Sequence, residues 1–181
     1  LLQVAAVFAL GVLMTGFFTY FTQYDIADTN IKSQTETLAD DIAREVTMAV
    51  REYPGYEWLI RYWYAHSGEL DIEYDVPYAK DTRTAGKSMQ FLLRHPGFRL
   101  QYADETDIET LSAEDQKIYA EIVYSWLITR VDQIKQAHRI DYLFCVATGE
   151  DCREQFFLFS AADPGSVRGT EYEQIYPLGV T

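Results

Sequence analysis

The chain has 181 residues, 48% of them apolar and 15% aromatic, which is material for one compact domain with an appendage. Its net charge of −13 and pI near 4.5 set up a field that repels a phosphate backbone. The sequence offers no basic patch to offset that field, so nucleic acid is excluded as an expected partner. The chain opens on Leu1, and its last stretch, Tyr176 to Thr181, carries no terminating signal, so a piece of a longer protein is expected.

From Leu1 to Tyr24 no residue is charged, and Leu1 to Phe21 is apolar apart from Gln3 and a few Thr and Tyr. About 20 such residues cross the hydrocarbon core of a bilayer. A cleaved signal peptide has a shorter apolar stretch and a small-x-small cleavage site, whereas this run ends in Phe17, Phe18, Tyr20 and Phe21, residues suited to an interfacial belt. The expectation is a transmembrane helix at residues 1–24. Asp25 and Asp28 follow it and the first cation is Lys32. Cytoplasmic flanks favour Lys and Arg, so residues 25–181 are expected outside the cytoplasm.

Between Gly16 and Pro54 there is no Gly or Pro, and Ile31, Leu38, Ile42, Val46 and Ala49 recur at helical spacing in a polar background. This predicts a long amphipathic helix continuing from the span, on the order of 75 Å from Leu1 to Glu52 at the helical rise. Pro54 and Gly55 end it, and the aromatic segment Tyr56 to Tyr64 reads as a second helix. Glu69, Asp71, Glu73 and Asp75 alternate with Leu70, Ile72, Tyr74 and Val76, which predicts a half-buried strand with an acidic solvent face. Same-face carboxylates on a strand are about 7 Å apart, too far for all four to share one cation. The acidic stretch Asp104 to Glu109 lacks the Gly of a calcium loop.

Ser112 caps a predicted helix running to His138, with acidic residues in the first turn and Lys135 and His138 in the last. Its apolar stripe is Ile118, Tyr119, Ile122, Val123, Trp126, Leu127, Val131 and Ile134. Ile140 to Val146 and Gln155 to Ser160 then read as a hairpin, apolar on both faces, around a turn at Thr148 to Asp151. A sheet dry on both sides must be covered on both. Cys145 and Cys152 flank the turn, which leaves two readings: a cross-strand disulfide outside the cell, or a buried thiol at Cys145.

Signatures of catalysis are missing from the sequence. His66, His95 and His138 have no zinc-ligand spacing, so no metal is expected. Ala85-Gly86-Lys87-Ser88 imitates the end of a phosphate-binding loop, but the earlier Gly such a loop requires is Asp81 here. No Gly-x-Ser-x-Gly elbow occurs. The expectation is a protein that is not an enzyme and carries no cofactor.

In order, the apolar anchor, the long membrane-proximal helix, the capped helix, and Tyr142-Leu143-Phe144-Cys145-Val146 with its partner Phe156-Phe157-Leu158-Phe159 resemble an extracytoplasmic PAS-like (Cache-type) sensor domain. Ala162-Asp163-Pro164-Gly165 and Gly169-Thr170-Glu171-Tyr172 are similar to the loop such domains carry after the hairpin. The resemblance implies an α+β fold in which a PAS-like antiparallel sheet is flanked by helices, over residues 25–181 and cut short at its C-terminal end. It implies an input domain of a transmembrane signalling receptor, whose output kinase, cyclase, phosphatase or chemoreceptor module is not in this chain. The membrane, a small-molecule or protein ligand, and a second copy paired through the N-terminal helix are the partners expected. The implied ligand cavity is lined from the hairpin by Tyr142, Phe144 and Val146, with Arg153 and Arg168 as partners for an anionic ligand. The competing readings are that both aromatics are core and both arginines solvated, and that the domain is a passive extracellular scaffold.

Overall fold

A computed structural model describes residues 2–72, 83–148, 155–161 and 176–179, with only the backbone described for residues 2–17 and residue 83. The fold is mixed α+β, mainly helical, with a two-stranded antiparallel sheet. Two compact units divide it, Leu1–Ala43 and Arg44–Thr181.

Helix α1 (Leu2–Arg51) supplies the first unit and opens the second. With no Gly or Pro between Gly16 and Pro54, nothing interrupts its hydrogen bonds. From Phe18 to Asp41 its side chains are exposed, apart from the half-buried Asp28. The apolar stripe read from the sequence is therefore split: Ile31 and Leu38 are exposed, whereas Ile42, Val46, Ala49 and Val50 are buried. Among the described residues no helix is long and apolar enough to cross a membrane. The side chains of the expected span lie outside the described residues as far as Phe17.

In the second unit, α2 (Tyr56–His66) follows the Tyr53-Pro54-Gly55 break and buries Leu59 and Trp63. The Trp63 indole N–H donates to the Ala120 carbonyl at 3.0 Å, so the largest side chain in the core is also satisfied. Gly55 stands close against the segment at Ala103. Its N–H donates to the Ala103 carbonyl, and a Cβ there would lie 2.5 Å from Ile108 Cδ1.

Helix α3 (Arg83–Arg94) has no counterpart in the sequence reading. The short α4 (Glu105–Glu109) is the acidic stretch after Tyr102, held by a capping box in which Asp104 accepts from the Asp107 N–H and Asp107 accepts from the Asp104 N–H. Carboxylates crowd there because the start of a helix favours them. Helix α5 (Ala113–His138) matches its sequence reading from cap to end. Ser112 Oγ accepts from the Asp115 N–H, and Arg139, at φ 53°, closes the helix in the left-handed region. From Tyr119 to Tyr124 every residue of α5 is buried, so the helix runs through the core of this unit.

The hairpin is formed by β1 (Phe144–Thr148) and β2 (Gln155–Ser160). β1 starts later than expected because Ile140, read as its first residue, gives its N–H to the Lys135 carbonyl in the helix cap. Cys145 pairs with Phe159 and Val146 with Phe157, so Leu158 has no partner on β1 and forms a bulge. The Tyr124 hydroxyl donates to the Leu158 carbonyl at 3.0 Å from the core.

The strand expected over Glu69 to Val76 is corrected in its described half. Glu69 stands in a turn, and Leu70 to Ile72 belong to no strand. The reason is a competing acceptor: the Asp71 N–H, which a ladder would use, donates to the buried Glu121 carboxylate at 2.8 Å. Residues 73–76 lie outside the described residues.

Candidate functional site

The pleat of the hairpin sorts its side chains onto two faces. Phe156 and Phe159 turn inward: the Phe159 ring lies 5.4 Å from Tyr124 and 5.9 Å from Trp63, and Phe156 lies 4.8 Å from Tyr64. This is the face covered by α2 and α5. On the opposite face Phe144 meets Phe157 edge to face at 5.8 Å, and Tyr176 stacks on Phe157 at 4.3 Å while reaching Phe144 at 5.3 Å. Tyr142 continues the row, stacked on Phe144 at 6.1 Å. These rings are not core. Tyr142 is 62% exposed and Val146 51%, while Phe144, Phe157 and Tyr176 are half-buried.

The structure thus brings Tyr142 and Phe144 together, on a face with Phe157 and Tyr176. Arg153 and Arg168 lie outside the described residues, so the anionic side of the expected pocket does too. The sequence reading missed Tyr176 in this role. Its only signal was an aromatic residue a few positions after Gly165 and Gly169.

Cys145 is a free cysteine on β1, and burial pushes its thiol up to about 12. Cys152, its expected partner in a disulfide, lies outside the described residues. A thiol so raised is held in its unreactive form.

Two charged clusters surround α5. Glu121, 4% exposed, accepts from Lys87 Nζ at 2.6 Å as well as from the Asp71 N–H; Lys87 also donates to the Asp71 carbonyl at 2.9 Å. At the start of the helix Asp115 faces Arg94 and lies 3.1 Å from His95 Nε2, with the Ser112 hydroxyl donating to it at 2.8 Å. Burial works to raise the Asp115 carboxyl, but the bonds from Ser112 and His95 and the charge of Arg94 prevail and leave it below its usual value. Both clusters join separate parts of the chain across α5.

The three histidines each meet a carboxylate: His66 with Glu69 at 3.3 Å, His95 with Asp115, and His138 with Glu45 at 2.9 Å. Among the described residues no group of three or more His, Cys, Asp or Glu is placed to hold a metal ion. A groove of about 210 Å³ beside Tyr53 is bordered by Glu52, Trp126, Arg130 and Gln133. It falls short of the roughly 300 Å³ at which small-molecule sites begin. The hairpin's aromatic face is the better candidate, and what it can do is bind: stack on a planar group, or receive an apolar or cationic one. Comparison of the chain with protein-family models, with curated proteins and with solved structures finds no match.

Proposed function

We propose that this chain is the extracytoplasmic input domain of a transmembrane signalling receptor, with the outer face of the hairpin as its recognition surface. The observation that carries the reading is the row Tyr142, Phe144, Phe157 and Tyr176, four rings in mutual contact and still open to solvent. A folded domain seldom leaves so much aromatic surface together without a use for it. The charge-free run from Leu1 to Tyr24 supports a membrane anchor, and the Asp25 and Asp28 that follow support the outward orientation. Helix α1, which extends from that run to Arg51, supports a role in signal transmission. Ile31 and Leu38, exposed and seven residues apart, supply a stripe for pairing with a second copy.

The test is a thermal-shift screen of the full chain in mild detergent against aromatic, cationic and carboxylate metabolites. Binding should disappear in Tyr142→Ala and in Val146→Ser, both at exposed positions where the fold has no reason to fail. A ligand whose binding survives both substitutions sinks the assignment of the surface. Labelling of Glu69→Cys by an impermeant maleimide on intact cells tests the orientation, and reaction only after lysis would reverse it.

A further inference from the structure

Buried Trp and Tyr ordinarily find a partner for their polar tips, and in this core the Trp63 indole N–H reaches the Ala120 carbonyl and the Tyr124 hydroxyl the Leu158 carbonyl. Tyr53 and Trp126 break the pattern, and both line the groove of about 210 Å³ between the end of α1 and the second half of α5. Tyr53 is only 8% exposed, yet its hydroxyl has no hydrogen-bond partner among the described residues. The indole N–H of the half-buried Trp126 has none among them either. The Tyr119 hydroxyl, wholly buried and within electrostatic reach of Tyr53, is also unpartnered.

Charge at the groove is unbalanced as well. Glu52 lines it from the turn that ends α1; it is exposed, forms no ion pair among the described residues, and its charge is felt at the Tyr53 hydroxyl. The α5 side carries Arg130, whose guanidinium already has two acceptors, Glu45 at 3.8 Å and the Gln133 side-chain oxygen at 3.4 Å. A carboxylate without a cation, beside two donors without acceptors, defines its own complement: a cation joined closely to an acceptor oxygen. The groove is too small for a drug-sized molecule and has room for a compact one.

We infer that this groove binds a compact amino compound bearing an acceptor oxygen, its ammonium donating to the Glu52 carboxylate and its oxygen accepting from the Tyr53 hydroxyl and the Trp126 N–H. A bare cation would leave both ring donors unpaired, and an anion without an amine would meet Glu52 with the wrong sign. Seated there, the ligand bridges the end of α1 and α5. The groove lies within the unit Arg44–Thr181 and is lined by none of the hairpin's rings, so the inference holds whether or not that face binds a ligand.

The three tryptophans supply the test, because each gives its own indole N–H resonance. The full chain, isotopically labelled at tryptophan, is titrated in mild detergent at neutral pH and constant ionic strength with ethanolamine hydrochloride, glycine or sodium acetate. Trp126→Phe identifies the Trp126 signal. Ethanolamine and glycine should each move that signal saturably, with a midpoint in the millimolar range that suits so small a ligand, while the Trp63 signal, held by Ala120, stays in place. The tighter of the two shows whether the preferred acceptor is a hydroxyl or a carboxylate, and acetate should move nothing. Glu52→Gln, at an exposed position, should weaken both titrations roughly tenfold or more, with the Trp63 signal as the check that the core is intact. A Trp126 signal unmoved by both amino compounds, moved equally by acetate, or titrating identically in Glu52→Gln overturns the inference.

Discussion

Removing the Glu121 carboxylate strips the Asp71 N–H of its acceptor and Lys87 of its shortest partner. Glu121→Met keeps the side-chain length and helix propensity while deleting both bonds. An amide left without a partner costs about 1–3 kcal/mol, and a lost hydrogen bond to a charged group about 1.5–3 kcal/mol. Lys87 keeps the Asp71 carbonyl at 2.9 Å, so the sum falls at the lower end and the expected loss is about 3 kcal/mol. Lys87→Met leaves the opposite problem, a carboxylate 4% exposed with one backbone donor, at a similar cost of about 3 kcal/mol. With both replaced no buried charge remains, and the double variant should cost no more than either single one. The coupling is then about 3 kcal/mol. The carboxylate of Asp71, 3.1 Å from Lys87 but 60% exposed, adds little to the balance. In a thermal melt followed by circular dichroism, each single variant should fall by roughly 6–12 °C for a domain of this size. A Glu121→Met protein within about 0.5 kcal/mol of the native chain, or a double variant whose loss is the sum of the singles, would refute the reasoning.

Gly55→Ala should destabilise by about 1–3 kcal/mol in the same melt, because its Cβ would meet the buried Ile108 at 2.5 Å and the Ala103 carbonyl oxygen at 3.1 Å; unchanged stability would mean that Ile108 has room to turn aside. Cys145, pushed up to about 12, should react with iodoacetamide at pH 8 on the order of a thousandfold more slowly than an unshifted thiol, and normally in denaturant; fast labelling of the folded chain would contradict the burial. Asp115 sits below its usual value of 3.8, so the stability it contributes is complete above that value and lost as pH falls through the depressed one. Asp115→Asn should be less stable at neutral pH and show a flatter loss in acid melts as pH falls below 3.8, and an unaltered acid profile would show that the carboxylate is not linked to folding.

Helix α5 was legible because every signal agreed: Ser112 at the cap, acids in the first turn, a continuous apolar stripe, and basic residues at the end. The hairpin was legible from two apolar runs, though not its late start, which depends on Arg139 adopting a positive φ that the sequence does not announce. The alternation from Glu69 to Val76 misled in its described part because a period of two guarantees no strand when the ladder donor has a stronger acceptor elsewhere. That acceptor, Glu121, lies 50 residues away, and its burial departs from the rule that a carboxylate on a helix stays in solvent. Helix α3 was not read from the sequence although Ala85, Met89, Leu92 and Leu93 recur at helical spacing, because Gly86 and the polar Thr84, Lys87 and Ser88 break up the run. Within the candidate site Tyr142 and Phe144 could be read directly, whereas Phe157 and Tyr176 join them only once the strand faces and the return of the chain at Tyr176 to Gly179 are known.

The bond from Tyr124 to the Leu158 carbonyl carries a further consequence. A hairpin ordinarily takes its alignment from its turn, so that one added residue moves every side chain to the other face. Here the bulge at Leu158 is pinned from a helix 34 residues upstream, and a slipped strand would leave a core hydroxyl facing the wrong carbonyl. Alignment is thus specified at the far end of the strands from the turn. A tag or reporter inserted between Thr148 and Gln155 should therefore leave the sheet, and the row of rings it displays, in place.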